Sequence, residues 1–236
     1  RRASARTSLP LWLGHGRPVS IILAGRRALS IYAGRRRSAP HLARRRGEPF
    51  QVANAVLHHQ DFVTPGPTST RVTIVAGAGR PTWGNKRIVV AQPKSGWAHV
   101  TSQDMAAIAP TWSPDGNQLA YSAGPNLTGV FGGQAARQAL MDRSIWLMAA
   151  DEGETRRLTD GTNCRDERPL WSGDGSHLLF ARLDANDRAS LWVVPAEGGD
   201  PQQVVDELTP APDWFGTYGH VEWHQWFDWW RGPGGQ

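Results

Sequence analysis

The residues best suited to metal chemistry are His220, Glu222 and His224. At i, i+2, i+4 they would share one face of a strand, while His220, His224 and Asp228 would share one face of a helix. Imidazoles and carboxylates placed in either way suit a divalent metal. The spacing differs from the His-Glu-x-x-His of zinc proteases, so no catalytic role follows. A polar helix face explains the same residues without a metal. A second group is charged: Asp160, Arg165, Asp166, Glu167 and Arg168, with Asp104 upstream and Asp206 and Glu207 downstream. These residues suit recognition of a protein partner; the competing reading is an ion-pair network between neighbouring units. Cys164 is the single cysteine, which excludes an internal disulfide framework and a multi-cysteine zinc site. There is no Gly-x-Ser-x-Gly elbow for a nucleophilic serine. Ala76-Gly77-Ala78-Gly79 lacks the third glycine of a dinucleotide fingerprint. No catalytic residue and no cofactor are expected.

The elements that hold these residues are legible from an internal repeat. Pro110-Thr111-Trp112-Ser113-Pro114-Asp115-Gly116-Asn117-Gln118-Leu119-Ala120-Tyr121 returns as Pro169-Leu170-Trp171-Ser172-Gly173-Asp174-Gly175-Ser176-His177-Leu178-Leu179-Phe180. Asp-Gly between alternating apolar residues is a hairpin signal, because glycine accepts positive φ without penalty. A second element follows each copy: Ser144-Ile145-Trp146-Leu147-Met148 leads to Arg157-Leu158-Thr159, and Ser190-Leu191-Trp192-Val193-Val194 leads to Gln203-Val204-Val205. Each unit therefore reads as four short antiparallel strands. One such sheet cannot bury both of its faces, whereas stacked units cover one another.

The Pro-x-Trp-Ser-Pro-Asp-Gly string, with the following Ile-Trp-Leu-Met and Arg-Arg-Leu-Thr, resembles the blade repeat of TolB-like β-propellers. It is also similar to propeller domains attached to prolyl-oligopeptidase-type enzymes. The resemblance spans roughly residues 70–210 and implies an all-β fold: a partial or truncated β-propeller of four-stranded antiparallel blades. Gly173 stands where proline is usual. The resemblance implies a non-enzymatic protein-interaction module outside the cytoplasm, in the bacterial cell envelope. The alternative it implies is an accessory propeller of a hydrolase, lyase or peptidase. In propellers the connectors between blades lie near the central channel, so Asp104, Asp160, Arg165, Asp166, Glu167, Arg168, Asp206 and Glu207 are the expected partner-binding residues.

Along the chain, residues 1–50 hold twelve arginines and a single acid, Glu48, a net charge of +11. The remainder carries −6, so the basic pI belongs to this segment, and a nucleic-acid partner is not expected of the folded part. The segment reads as a disordered basic leader. No apolar run is long enough to span a membrane, and no signal peptide is visible. Residues 51–236 are expected to hold the blades: clear ones over 109–159 and 168–205, a degraded one over about 70–101, and an aromatic tail over 206–236. Val63-Thr64-Pro65-Gly66-Pro67 reads as a loop. An insertion over 124–143 contains good helix formers. In the tail, Trp223, Trp226, Phe227 and Trp230 fall at i, i+3, i+4, i+7, which predicts a short C-terminal helix capping the last blade. No such cap is visible upstream, so self-association through an uncapped blade face is expected.

Overall fold

The computed structural model describes residues 7–13, 17–23, 60–67, 71–76, 84–92, 97–127, 133–209 and 221–230. Three four-stranded antiparallel meanders follow one another. The first contains β3 (Gln60–Pro65), β4 (Val72–Ala76), β5 (Arg87–Gln92) and β6 (Trp97–Val100), after the two N-terminal strands described below. The second contains β7 (Met105–Trp112), β8 (Gln118–Pro125), β9 (Ser144–Ala149) and β10 (Thr155–Arg157). The third contains β11 (Cys164–Trp171), β12 (His177–Asp184), β13 (Ala189–Pro195) and β14 (Gln202–Val205).

The hairpin turns explain why the repeat folds this way. Ser113 Oγ donates to Asp115 Oδ1 at 2.6 Å, and Asp115 Oδ1 accepts from Asn117 N at 3.0 Å. Ser172, Asp174 and Ser176 make the same bonds at the same distances. Gly116 and Gly175 take φ of 74° and 73°, the left-handed region that glycine enters without cost. Gly173 in place of Pro114 leaves the turn unchanged. The stretch read as a loop is the corresponding corner of the first blade. Gly66 N donates to Arg71 O at 2.8 Å, as Ser113 N donates to Gln118 O and Ser172 N to His177 O. The first blade is therefore complete and begins at Gln60, although it has Pro65 where the other blades have tryptophan.

The first strands of the second and third blades each carry a bulge before their proline. The register shifts between Ile108 and Thr111, and again between Glu167 and Leu170. Ala109 and Arg168 occupy these bulges with φ of 52° and 53°, a conformation that non-glycine residues seldom adopt.

The blades stack face to face. Val75, Ile88 and Val90 of the first blade pack with Ala107, Leu119 and Tyr121 of the second. Ile145, Leu147 and Leu158 of the second pack with Trp171, Leu178 and Phe180 of the third. Trp112 Nε1 donates to Thr64 O at 3.5 Å and Trp171 Nε1 to Thr111 O at 3.1 Å, so the same bond ties each blade to the one before. Full burial of such apolar side chains is worth about 1.5–3 kcal/mol each, against about 1 kcal/mol for one hydrogen bond. Burial therefore supplies the stacking energy, and the indole bonds set the register.

The backbone at the blade junctions also repeats. Ala107 N donates to Lys86 O at 2.7 Å, Asp166 N to Arg143 O at 3.0 Å, and Leu208 N to Ala189 O at 2.7 Å. The chain leaving the third blade thus enters the same position that begins the second and third blades.

The tail differs from the expected C-terminal helix. A 3-10 turn, Trp223–Gln225, is followed by β15 (Phe227–Trp230). Phe227 and Trp229 are buried and Asp228 between them is exposed, a period of two that suits a strand. The tail nevertheless covers the third blade: Val221, Trp223, Phe227 and Trp229 pack on Leu179, Leu191 and Val193. Two strands also lie in the segment read as a disordered leader, β1 (Thr7–Leu13) and β2 (Arg17–Leu23). They pair antiparallel, and β15 adds to β2 with Phe227 opposite Leu23. The run Val19-Ser20-Ile21-Ile22-Leu23 has the β-branched content that favours strands. At the other end of the stack, Ile74 and Val89 point away from the second blade yet are only 5% and 1% exposed. The face expected to be uncapped is not bare at these positions.

Candidate interaction site at the blade connectors

The strand directions place the connectors between blades on one side of the stack, with the loops between second and third strands of each blade. The insertion lies on this side. Its helix, α1 (Gly133–Leu140), buries Ala136 and Leu140. Arg137 bridges to Asp187 of the next blade at 2.6 Å, and Asn126 Nδ2 donates to Gln103 O at 2.7 Å. The Asp-Gly turns occupy the opposite side.

The expected partner-binding residues divide into two groups here, with the half-buried Arg168 between them. Asp104, Asp160, Asp206 and Glu207 are exposed, one or two on each connector. Asp160 lies 3.3 Å from Arg157. Arg165, Asp166 and Glu167 are instead interior, at 0%, 0% and 1% exposure. Glu167 Oε1 accepts from Arg143 Nη1 at 2.5 Å and from Arg165 Nε at 2.7 Å, while Glu167 Oε2 accepts from Trp223 Nε1 at 2.7 Å. One carboxylate thus joins the second blade, the third blade and the tail. Asp166 accepts a two-pronged bond from Arg182, at 2.7 and 2.8 Å. Arg182 in turn stands over the rings of Phe180 and Trp192. Burial pushes Arg143 down to about 10 despite the neighbouring Glu167.

Arg143, Arg182 and Trp223 were not among the expected site residues. The repeat holds a signal for them. Arg165, Asp166 and Glu167 occupy the positions of Ala106, Ala107 and Ile108, which are buried in the second blade. Charges placed there must find partners within the fold.

Gly161 closes this region. A Cβ added there would overlap Cys164 Sγ and come within 3.1 Å of Asp166 Oδ2. Burial and the Asp166 carboxylate push the Cys164 thiol up to about 11, so Arg165 beside it in sequence does not activate it. Of the metal candidates, His220 lies outside the described residues. Glu222 Oε2 and His224 Nδ1 are 3.2 Å apart on the surface. Among the described residues no cluster of three or more metal-ligating side chains forms, and no helix is long and apolar enough to cross a membrane.

Three successive four-stranded blades, joined by repeated backbone and indole bonds, define a repeat protein of the β-propeller type. Over 111 residues, 45% of this chain, the sequence is 28% identical to an uncharacterised peptidase of Bacillus subtilis, YuxL, and covers 16% of that protein. Among solved structures the chain is similar to a TolB-type protein from Agrobacterium tumefaciens, with 20% identity, 64% of this chain and 50% of that one covered, and a TM-score of 0.45. It is also similar to a prolyl endopeptidase, with 13% identity, coverages of 62% and 22%, and a TM-score of 0.49. The chain spans half or less of each of these proteins. No family model matches it.

Proposed function

We propose that the chain is a non-enzymatic interaction module of the TolB-like propeller type that binds a protein partner across its blade connectors, in the bacterial cell envelope. The supporting observation is the division of charge. Arg165, Asp166 and Glu167 are consumed by the interior network, whereas Asp104, Asp160, Asp206 and Glu207 recur on successive connectors of one side and are left to solvent. Exposed like charges steer and select a complementary partner more than they stabilise the fold. The test compares wild type with a variant in which these four acids become Asn, Asn, Asn and Gln. Both are used to recover partners from an envelope fraction by cross-linking, over a range of salt. Recovery of a defined protein that weakens with salt and with the four substitutions supports the reading. Recovery unaffected by all four removes the connector side from consideration.

A second reading has one observation in its favour: the 28% identity to a peptidase. In that case the blades are the accessory propeller of a hydrolase, and the connectors face a catalytic domain. A Gly-x-Ser-x-Gly domain encoded downstream in the same gene would select this reading. Upstream blades preceded by an export signal would select the envelope module.

A further inference from the structure

Arg168 departs from the way its neighbours are satisfied. Arg143 and Arg165 reach Glu167, and Arg182 reaches Asp166. Arg168 is half-buried, and its Nε is buried with no hydrogen-bond partner. No described residue forms a salt bridge with its guanidinium. What lies beside it is the ring of Phe227, whose centroid is 5.5 Å from Cζ. Asp228 is close enough to be felt electrostatically but is itself exposed. Burial lowers the pKa of Arg168.

The backbone does not explain an arginine at this position. Ala109 holds the same bulge in the second blade with the same φ, so the turn of the strand needs no guanidinium. A buried N–H of a charged group without an acceptor is costly. The second unused donor lies on the same strand as Phe227. The indole Nε1 of Trp229 is also buried without an acceptor. Phe227 and Trp229 are two residues apart on β15 and share one face, about 7 Å apart along the strand. Two donors without acceptors are therefore carried by β11 and β15, strands that meet where Arg168 stands over Phe227, and one of them belongs to a half-buried cation.

We propose that Arg168, together with the indole N–H of Trp229, binds a carboxylate supplied by the protein partner. A planar guanidinium backed by an aromatic ring suits the two oxygens of a carboxylate. The proposal rests on the interaction-module reading and assigns its anchoring chemistry. The carboxylate belongs either to an acidic side chain or to a chain terminus.

The experiment uses the full chain as wild type and as Arg168→Gln, Arg168→Lys and Trp229→Phe. Acetate is titrated at constant ionic strength against chloride, with acetamide as the neutral isostere, and tryptophan fluorescence and the unfolding midpoint are followed. The expected result is a saturable response to acetate but not to acetamide, weakened at least about tenfold in Arg168→Gln, the scale of a lost charge-assisted bond. Arg168→Lys keeps part of the response, and Trp229→Phe reduces it. Without acetate, Arg168→Gln unfolds at or above the wild-type midpoint, because a partly buried cation whose Nε has no acceptor has been removed. A saturable acetate response that is equal in Arg168→Gln overturns the proposal, as does the lack of any saturable response in wild type. A clearly lower midpoint for Arg168→Gln also overturns it, since the arginine would then be structural.

Two peptides then separate the sources. One has a free C-terminus and no acidic residue; the other has an internal glutamate and an amidated C-terminus. Displacement of acetate by either one supports the proposal and identifies the source, and displacement by neither overturns it. Acetate binding is independent of the four connector acids, so failure here and failure of the partner reading are distinguishable.

Discussion

Replacing Glu167 by glutamine tests the interior network directly. The carboxylate is 1% exposed and accepts three bonds, from Arg143, Arg165 and Trp223, each at 2.7 Å or less. The amide keeps the shape but removes the charge that balances two buried guanidinium groups. Breaking a buried ion pair from one side costs about 3–5 kcal/mol. For a chain of this size that corresponds to a fall of roughly 6–20 °C in the unfolding midpoint. Urea denaturation followed by tryptophan fluorescence measures it, and limited proteolysis reports whether residues 221–230 detach when Trp223 loses its acceptor. The triple variant Arg143→Met, Arg165→Met, Glu167→Met provides the contrast. Removing all three charges is expected to be neutral or stabilising, because desolvation of the ions offsets much of their attraction. A Glu167→Gln variant within about 1 kcal/mol of wild type, in the range of an exposed pair, would refute the claim that this network is both interior and coupled.

Three further outcomes follow from the same region and from the turns. Gly161→Ala is expected to destabilise by about 1–3 kcal/mol through overpacking against Cys164 and Asp166, read as a lower urea midpoint with an unchanged slope. The Cys164 thiol, pushed up to about 11 by burial and by Asp166, is expected to resist iodoacetamide at pH 8 in the folded chain and to react rapidly in denaturant; equal rates would contradict its burial. Asp174 is held down to about 2, chiefly by the Ser172 hydroxyl, so its contribution is complete above the ordinary carboxylate pKa and is lost as pH falls from about 4 towards 2. The stability difference between wild type and Asp174→Asn should shrink across that window and stay flat above it.

The blades were legible because their turns are written in residues whose chemistry is local. Ser-x-Asp-Gly closes a hairpin wherever it occurs, and two copies in register leave little freedom in what lies between. The first strand of the first blade is hidden in the sequence because Gly66-Pro67 makes the corner without aspartate, and Pro65 replaces the tryptophan that marks the strand elsewhere. The tail reads as a helix because spacing i, i+3, i+4, i+7 counts aromatic residues without asking what separates them. Asp228 between Phe227 and Trp229 was the discriminating residue. The site was harder to read. A run such as Arg165-Asp166-Glu167-Arg168 resembles a solvated surface when taken alone. Its burial shows only when the run is laid over Ala106-Ala107-Ile108 of the preceding blade. Arg143 and Trp223 complete the network from 24 and 56 residues away, a distance that no local pattern spans.

The repeated junction bond has a consequence for how the chain is assembled. Ala107 and Asp166 each donate a backbone bond to the blade before them, at the start of the strand that opens their own sheet. A finished blade therefore offers a carbonyl to the next segment of chain before the partner strands of that segment exist. Folding can then advance from the N-terminal blade onward at the pace of synthesis, each sheet serving as the template for its successor. Among the described strands nearly all pairing is between neighbours in sequence, which keeps loop closure inexpensive and favours rapid folding for an all-β chain. The same polarity makes an early lesion more damaging than a late one. A substitution that disorders the first blade withdraws the template from the two that follow, whereas one in the third leaves the packing between the first two in place.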